Sequence, residues 1–134
     1  MQGQLIYEYG KNPVNYGKLE EYSLQYTEKN DVCGEYIRVD ILLDKEKKIQ
    51  EIAFEGDGRM VGIAAMSMLS EDMEEKSFSE IEKYEKEDIL ELLEVEELTT
   101  KRMRSAMLGL LALKNAYRTF TNQERLELED ITGE

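Results

Sequence analysis

The hydrophobic period of this chain changes at Gly56-Asp57-Gly58, and that change limits the folds open to it. Before it, apolar residues alternate with polar ones. After it, they recur about every 3.6 residues, so strands come first and helices follow. In residues 22–27, Tyr22, Leu24 and Tyr26 alternate with Ser23, Gln25 and Thr27, which predicts a strand with one aromatic face. Asn30-Asp31 signals a turn. In residues 36–43, Ile37, Val39, Ile41 and Leu43 lie opposite Arg38 and Asp40. A polar turn over residues 44–48 leads to a third strand over 49–55, with Ile52 and Phe54 on one face. Three strands joined by short polar connections predict an antiparallel meander with one buried face.

The remaining pattern is helical. Residues 4–9 suit a short helix ended by Asn12-Pro13, with turn residues at 15–17. After the break, Met60, Ile63, Ala64, Ser67 and Met68 fall on one stripe. Ser77-Phe78-Ser79-Glu80 has capping-box spacing and marks the opening of a further helix, in whose acidic surroundings Ile89, Leu92 and Leu93 supply the apolar side. Thr99 or Thr100 caps a long last helix with Met103, Met107, Leu110, Leu111 and the stem of Lys114 on one face. The expectation is an α+β fold: a short N-terminal helix, a three-stranded antiparallel sheet, then helices packed on one face of the sheet. Residues 1–134 read as one domain with its core over about 6–120 and a polar, frayed tail after Thr121.

Composition narrows the chemistry. The formal charge of −13 opposes contact with nucleic acid phosphates. The absence of histidine removes the usual general base and nitrogen ligand. Cys33 is the single cysteine, so no intramolecular disulfide forms, and a free thiol fits a reducing compartment. No leader-like stretch and no apolar run long enough to cross a bilayer is present, so the expectation is a cytoplasmic protein without a membrane partner. Residues 71–97 carry thirteen acids against three lysines, whereas residues 99–120 carry Lys101, Arg102, Arg104, Lys114 and Arg118 and no acid. That contrast reads either as two solvated helix faces or as a docking surface with a local positive stripe.

Five segments then resemble one family in order and spacing. Asn12-Pro13-Val14-Asn15-Tyr16-Gly17 resembles the N-P-x-N-x-G segment of NifU/IscU-type (SufU-like) iron–sulfur cluster assembly scaffolds. Cys33-Gly34-Glu35 resembles their C-G-D motif, and the stretch from Ile49 through Gly58 resembles the strand and G-x-G turn that lead to a second cysteine. Ala64-Ala65-Met66-Ser67-Met68-Leu69 is similar to the small, hydroxyl-rich helix that follows. Arg102-Met103-Arg104-Ser105-Ala106-Met107-Leu108 is similar to the surroundings of the third cysteine. The resemblance implies a non-enzymatic protein of iron–sulfur cluster assembly with a cysteine desulfurase as partner. In that family three cysteines and an aspartate converge at one end of the molecule.

Against that ligand set, Cys33 keeps a thiolate and Glu35 stands at the aspartate position. Arg59 stands at the second cysteine position and Ser105 at the third. Iron and zinc want about four soft or borderline donors, and arginine is not one. An iron–sulfur cluster or zinc would therefore have to be completed by a second chain or a partner. Three readings stand. Cys33 accepts sulfur in a protein that works through contacts with a desulfurase, a thiol beside guanidinium groups having its thiolate favoured. Alternatively, a homodimer shares one site built from two Cys33 and two Glu35. In the third reading metal chemistry is abandoned, and Arg59 with Arg104 binds a small anion on a metal-free module. Each residue also has a plain reading: Cys33 a small buried side chain, Glu35 a solvated charge, Arg59 paired with Glu55, Asp57 or another acid, and Ser105 a packing or capping residue.

Overall fold

The computed structural model describes residues 3–134. Along the chain come α1 (Gln4–Lys11), β1 (Leu24–Asn30), β2 (Glu35–Leu43), β3 (Ile49–Asp57), α2 (Met60–Met73), a 3₁₀ helix (Phe78–Lys83), α3 (Lys86–Leu93), α4 (Thr100–Phe120) and α5 (Leu128–Thr132). The strands form one antiparallel sheet in the order β1-β2-β3. Helices α2 and α4 pack on the sheet and on each other. Ile37, Val39 and Ile41 of β2 and Ile52 and Phe54 of β3 are buried in this core. Each such side chain stabilises the fold by about 1.5–3 kcal/mol.

The α+β plan and the meander agree with the periodicity, but four local features differ. First, β1 begins two residues later than expected and runs on to Asn30, leaving Tyr22 exposed outside it. Its inward positions continue past Leu24 and Tyr26 as Glu28 and Asn30, both buried. Second, α2 and the middle of α4 are buried on nearly every side rather than along one stripe. Both helices are central: α2 contacts α1, α3, α4 and β3, while α4 contacts β1, β2, α2, α5 and the 3₁₀ helix. Gly62 makes the α2–α4 approach close, because a Cβ there would lie 2.9 Å from the Ser105 carbonyl oxygen.

Third, Ser77 precedes a 3₁₀ helix and its side chain caps nothing. The capping boxes sit instead at Glu85/Asp88, opening α3, and at Glu127/Asp130, opening α5. Thr99 caps α4 as expected, its hydroxyl accepting from the Arg102 N–H at 3.4 Å. Fourth, the residues after Thr121 fold back over α4. The Leu126 N–H donates to Asn115 Oδ1 at 2.7 Å, and Leu128 and Thr132 are buried.

The Asn12-to-Gly17 segment docks on two elements. Asn15 and Gly17 exchange backbone hydrogen bonds with Phe54, which extends the sheet along the β3 edge. The Val14 N–H donates to Ser67 Oγ at 2.6 Å, and Asn15 Nδ2 donates to Ser70 Oγ at 3.1 Å. The hydroxyls of α2 thus hold this segment in place.

Candidate functional site

Glu35 opens β2 immediately after the turn at residues 31–34, and it is only 6 % exposed. Burying a carboxylate is costly unless its oxygens are bonded, and here both are. Asn30 Nδ2 donates to Oε1 at 3.0 Å. The backbone N–H of Arg59, the N-cap residue of α2, donates to Oε2 at 3.0 Å. Ser105 Oγ from α4 lies 2.9 Å from Oε1 and 2.8 Å from Oε2, so its single proton is shared between them. The carboxylate also faces the positive end of the α2 dipole. One side chain thereby joins the β1–β2 turn, the start of α2 and the first half of α4.

The structure brings Glu35, Ser105 and the backbone of Arg59 together at this point, but in a closed arrangement. The space they enclose with Gly58, Gly62 and Leu108 is about 10 Å³, at the lower limit for one water. Gly58 is what lets the longer glutamate fit, since a Cβ there would lie 2.9 Å from Glu35 Oε2. Among the described residues no group of three or more Cys, Asp or Glu side chains could hold a metal ion. Glu35 is engaged on both oxygens, Ser105 gives its proton to Glu35, and Arg59 is a cation. This donor set does not fit a resident zinc ion.

Cys33 sits in the turn itself, half-buried, and is a free thiol. Its N–H and that of Gly34 both donate to the Asn30 carbonyl, at 3.1 and 2.8 Å. Gly34 takes φ of 73°, a left-handed conformation that glycine adopts without strain. Val32 beside it is 79 % exposed.

The two arginines do not share a site. Arg59 extends its side chain into solvent, and no acid of the described residues forms an ion pair with it. Arg104 instead pairs with Glu129 at 3.3 Å and Glu134 at 2.8 Å from the folded-back tail. The positive stripe of α4 is dispersed in the same way, because Arg118 faces Glu82 at 3.7 Å and Lys114 is buried. Lys101 and Arg102 remain exposed.

Sequence reasoning missed two groups here. Asn30, read only as a turn residue, is a direct partner of Glu35. The buried Glu28 is held by Asn115 Nδ2 at 2.7 Å and Arg125 Nη2 at 2.6 Å, which ties β1 to α4 and to the tail. The strand alternation extended through 28 and 30 was the available signal for both.

Comparison with known proteins agrees with this architecture. The family model of the NifU-like N terminal domain matches residues 2–127. The iron–sulfur cluster assembly scaffold protein IscU 1 of Archaeoglobus fulgidus is 29 % identical over 116 residues, covering 87 % of this chain and 74 % of that protein. The zinc-dependent sulfurtransferase SufU of Bacillus subtilis is 33 % identical over 73 residues, covering 54 % of this chain and 48 % of that one. Among solved structures, a candidate scaffold protein for the SUF system from Fervidobacterium islandicum AW-1 superposes with a TM-score of 0.73 at 22 % identity, covering 84 % of this chain and 93 % of that one. The N-terminal part of a NifU-like protein from Brucella abortus gives 0.76 at 16 % identity, covering 90 % and 94 %. With the family model spanning nearly the whole chain and the same fold in both structures, the protein belongs to the NifU-like N-terminal domain family of IscU- and SufU-type iron–sulfur cluster assembly scaffolds.

Proposed function

We propose that this chain is a divergent, non-enzymatic protein of iron–sulfur cluster assembly that works through contacts with a cysteine desulfurase and accepts sulfur on Cys33. The observation that carries this reading is the state of the site. One thiol remains, half-exposed on a hairpin turn, while Glu35 is consumed by Asn30, Ser105 and the start of α2. A scaffold that holds its cargo on four ligands of its own needs a cluster of donors that the described residues do not form. The names of two relatives, a cluster assembly scaffold and a zinc-dependent sulfurtransferase, support this reading. With Glu35 closed inside, two copies of Cys33 and Glu35 are a weaker basis for a shared cluster than Cys33 alone is for sulfur transfer.

The step is a thiol–persulfide exchange. The Cys33 thiolate attacks the outer sulfur of a desulfurase persulfide, the S–S bond breaks, and the desulfurase leaves as its thiolate. Cys33 then carries the persulfide, with no external oxidant or reductant consumed. The test is capture of a cysteine desulfurase by the full chain, together with labelled-sulfur loading of the unaltered protein and of Cys33→Ser. Binding with loading that disappears in Cys33→Ser is the expected result. Absence of binding, or loading indifferent to the substitution, would refute the proposal.

A further inference from the structure

Among the described residues Lys114 is the one buried lysine, at 6 % exposure. Its ammonium donates to the Glu82 carbonyl oxygen at 3.1 Å, and it has no carboxylate within ion-pair distance among the described residues. Lysine is almost never buried unless paired, and an unpaired buried amine belongs to the small class that can act as nucleophiles. It lines an open cleft of about 500 Å³ between the 3₁₀ helix and the start of α3 on one side and α5 on the other. Four residues along α4, Arg118 lines the same cleft; its Nη1 lies 3.7 Å from Glu82 and donates to Gln123 Oε1 at 3.4 Å, while its buried Nε–H has no hydrogen-bond partner among the described residues. Buried donors are rarely left unsatisfied.

These two groups make a matched pair for one kind of reagent. An acyl carbon must reach the amine while an anionic leaving group is held by a guanidinium. We propose that Lys114 is a modification site for small acyl phosphates, with Arg118 holding the phosphate. The amine lone pair attacks the acyl carbon, the carbon–oxygen bond to phosphate breaks, and phosphate departs with that electron pair. The nitrogen gives up a proton to solvent and an amide remains.

Burial lowers the proton affinity of Lys114, and the Arg118 charge lowers it further. Glu82 on the 3₁₀ helix and Glu85 and Asp88 at the start of α3 act in the opposite sense, and the net direction is down. Lys86, Glu87 and, from α5, Asp130 complete the charged groups lining the cleft. The free amine needed for attack is therefore more available here than on a solvated lysine. This inference is independent of the reading of Cys33.

The test treats the full chain with acetyl phosphate and follows acylation of each of the eleven lysines by peptide mass spectrometry. Lys114 should be acylated several times faster than the exposed Lys18 and Lys45, and the advantage should vanish in urea. Arg118→Gln should remove most of the advantage toward acetyl phosphate but not toward an uncharged acetylating ester. A Lys114 rate at or below that of Lys18 and Lys45 in the folded protein overturns the proposal, as does an advantage that survives unchanged in urea. Equal loss toward both reagents in Arg118→Gln overturns the phosphate-holding role. If that variant does not fold, the folded-versus-urea comparison on the unaltered chain still decides.

Discussion

The Ser105 hydroxyl lies 2.8 Å and 2.9 Å from the two carboxylate oxygens of Glu35, seventy residues away in sequence. This contact closes the junction of hairpin, α2 and α4. Ser105→Ala should therefore destabilise the fold by about 1–3 kcal/mol, because it strips a donor from a buried charge. Urea unfolding with an unchanged slope and a lower midpoint is the expected observation.

Gly58 gives a sharper version of the same point. A methyl group there meets Glu35 Oε2 at 2.9 Å, so Gly58→Ala should cost about 1–3 kcal/mol through crowding. Shortening the carboxylate with Glu35→Asp relieves that crowding. The double variant should then be less destabilised than the sum of the single ones, a coupling that a double-mutant cycle measures. Strict additivity would mean that the two residues do not compete for space.

The folded-back tail rests partly on a charge. Arg125 Nη2 meets the buried Glu28 at 2.6 Å, with Arg125 itself half-exposed. Arg125→Ala should lower stability by about 1 kcal/mol, reduced from the value of a fully buried pair by solvent on the arginine side. Hydrogen exchange at the Leu126 amide, which donates to Asn115, should accelerate in the variant before the amides of β2 change.

Lys114 sets a pH dependence of definite sign. Its folded pKa lies below the ordinary 10.5, with burial the main cause, so the unfolded chain binds more protons between the folded value and 10.5. The cost of burying the charge is fully present below the folded pKa, and stability from this group rises as pH climbs through that window. Tyr84, whose pKa burial and Asp72 raise above 10.0, and Lys76, raised above 10.5 chiefly by its bond to Tyr84, work the other way at the top of the range. The difference between the unaltered chain and Lys114→Met isolates the lysine. The variant should gain relative stability at neutral pH and lose that gain toward pH 10.5, as followed by chemical denaturation at several pH values.

What could be read from the sequence was what repeats locally. The alternation through Ile37, Val39 and Ile41, the break at Gly56-Asp57-Gly58 and the Thr99 cap each depend on neighbours a few residues apart. The inward polar residues Glu28 and Asn30 escaped the same reading because a polar residue at an inner position looks like the end of a strand. Only a partner elsewhere in the chain reveals otherwise, and for Glu28 that partner is Arg125, ninety-seven residues on. The tail was misjudged for a related reason. Its apolar anchors, Leu126, Leu128 and Ile131, are too few for a clear period, and the rest are polar: Glu129 and Glu134 on Arg104 and the Asn115 side chain on Leu126. At the site, Arg59, Ser105 and Glu35 could be named from their positions, but the closure of Glu35 on Ser105 depended on a contact between distant segments.

The turn that carries Cys33 leaves the sheet from a fixed point, since Glu35 at its base is held on both oxygens while Val32 at its tip stands in solvent. Under the proposed reading the Cys33 thiol stands on a prong rather than at the bottom of a bowl, so a desulfurase that passes sulfur to it must itself supply the concave wall that keeps water from the exchange.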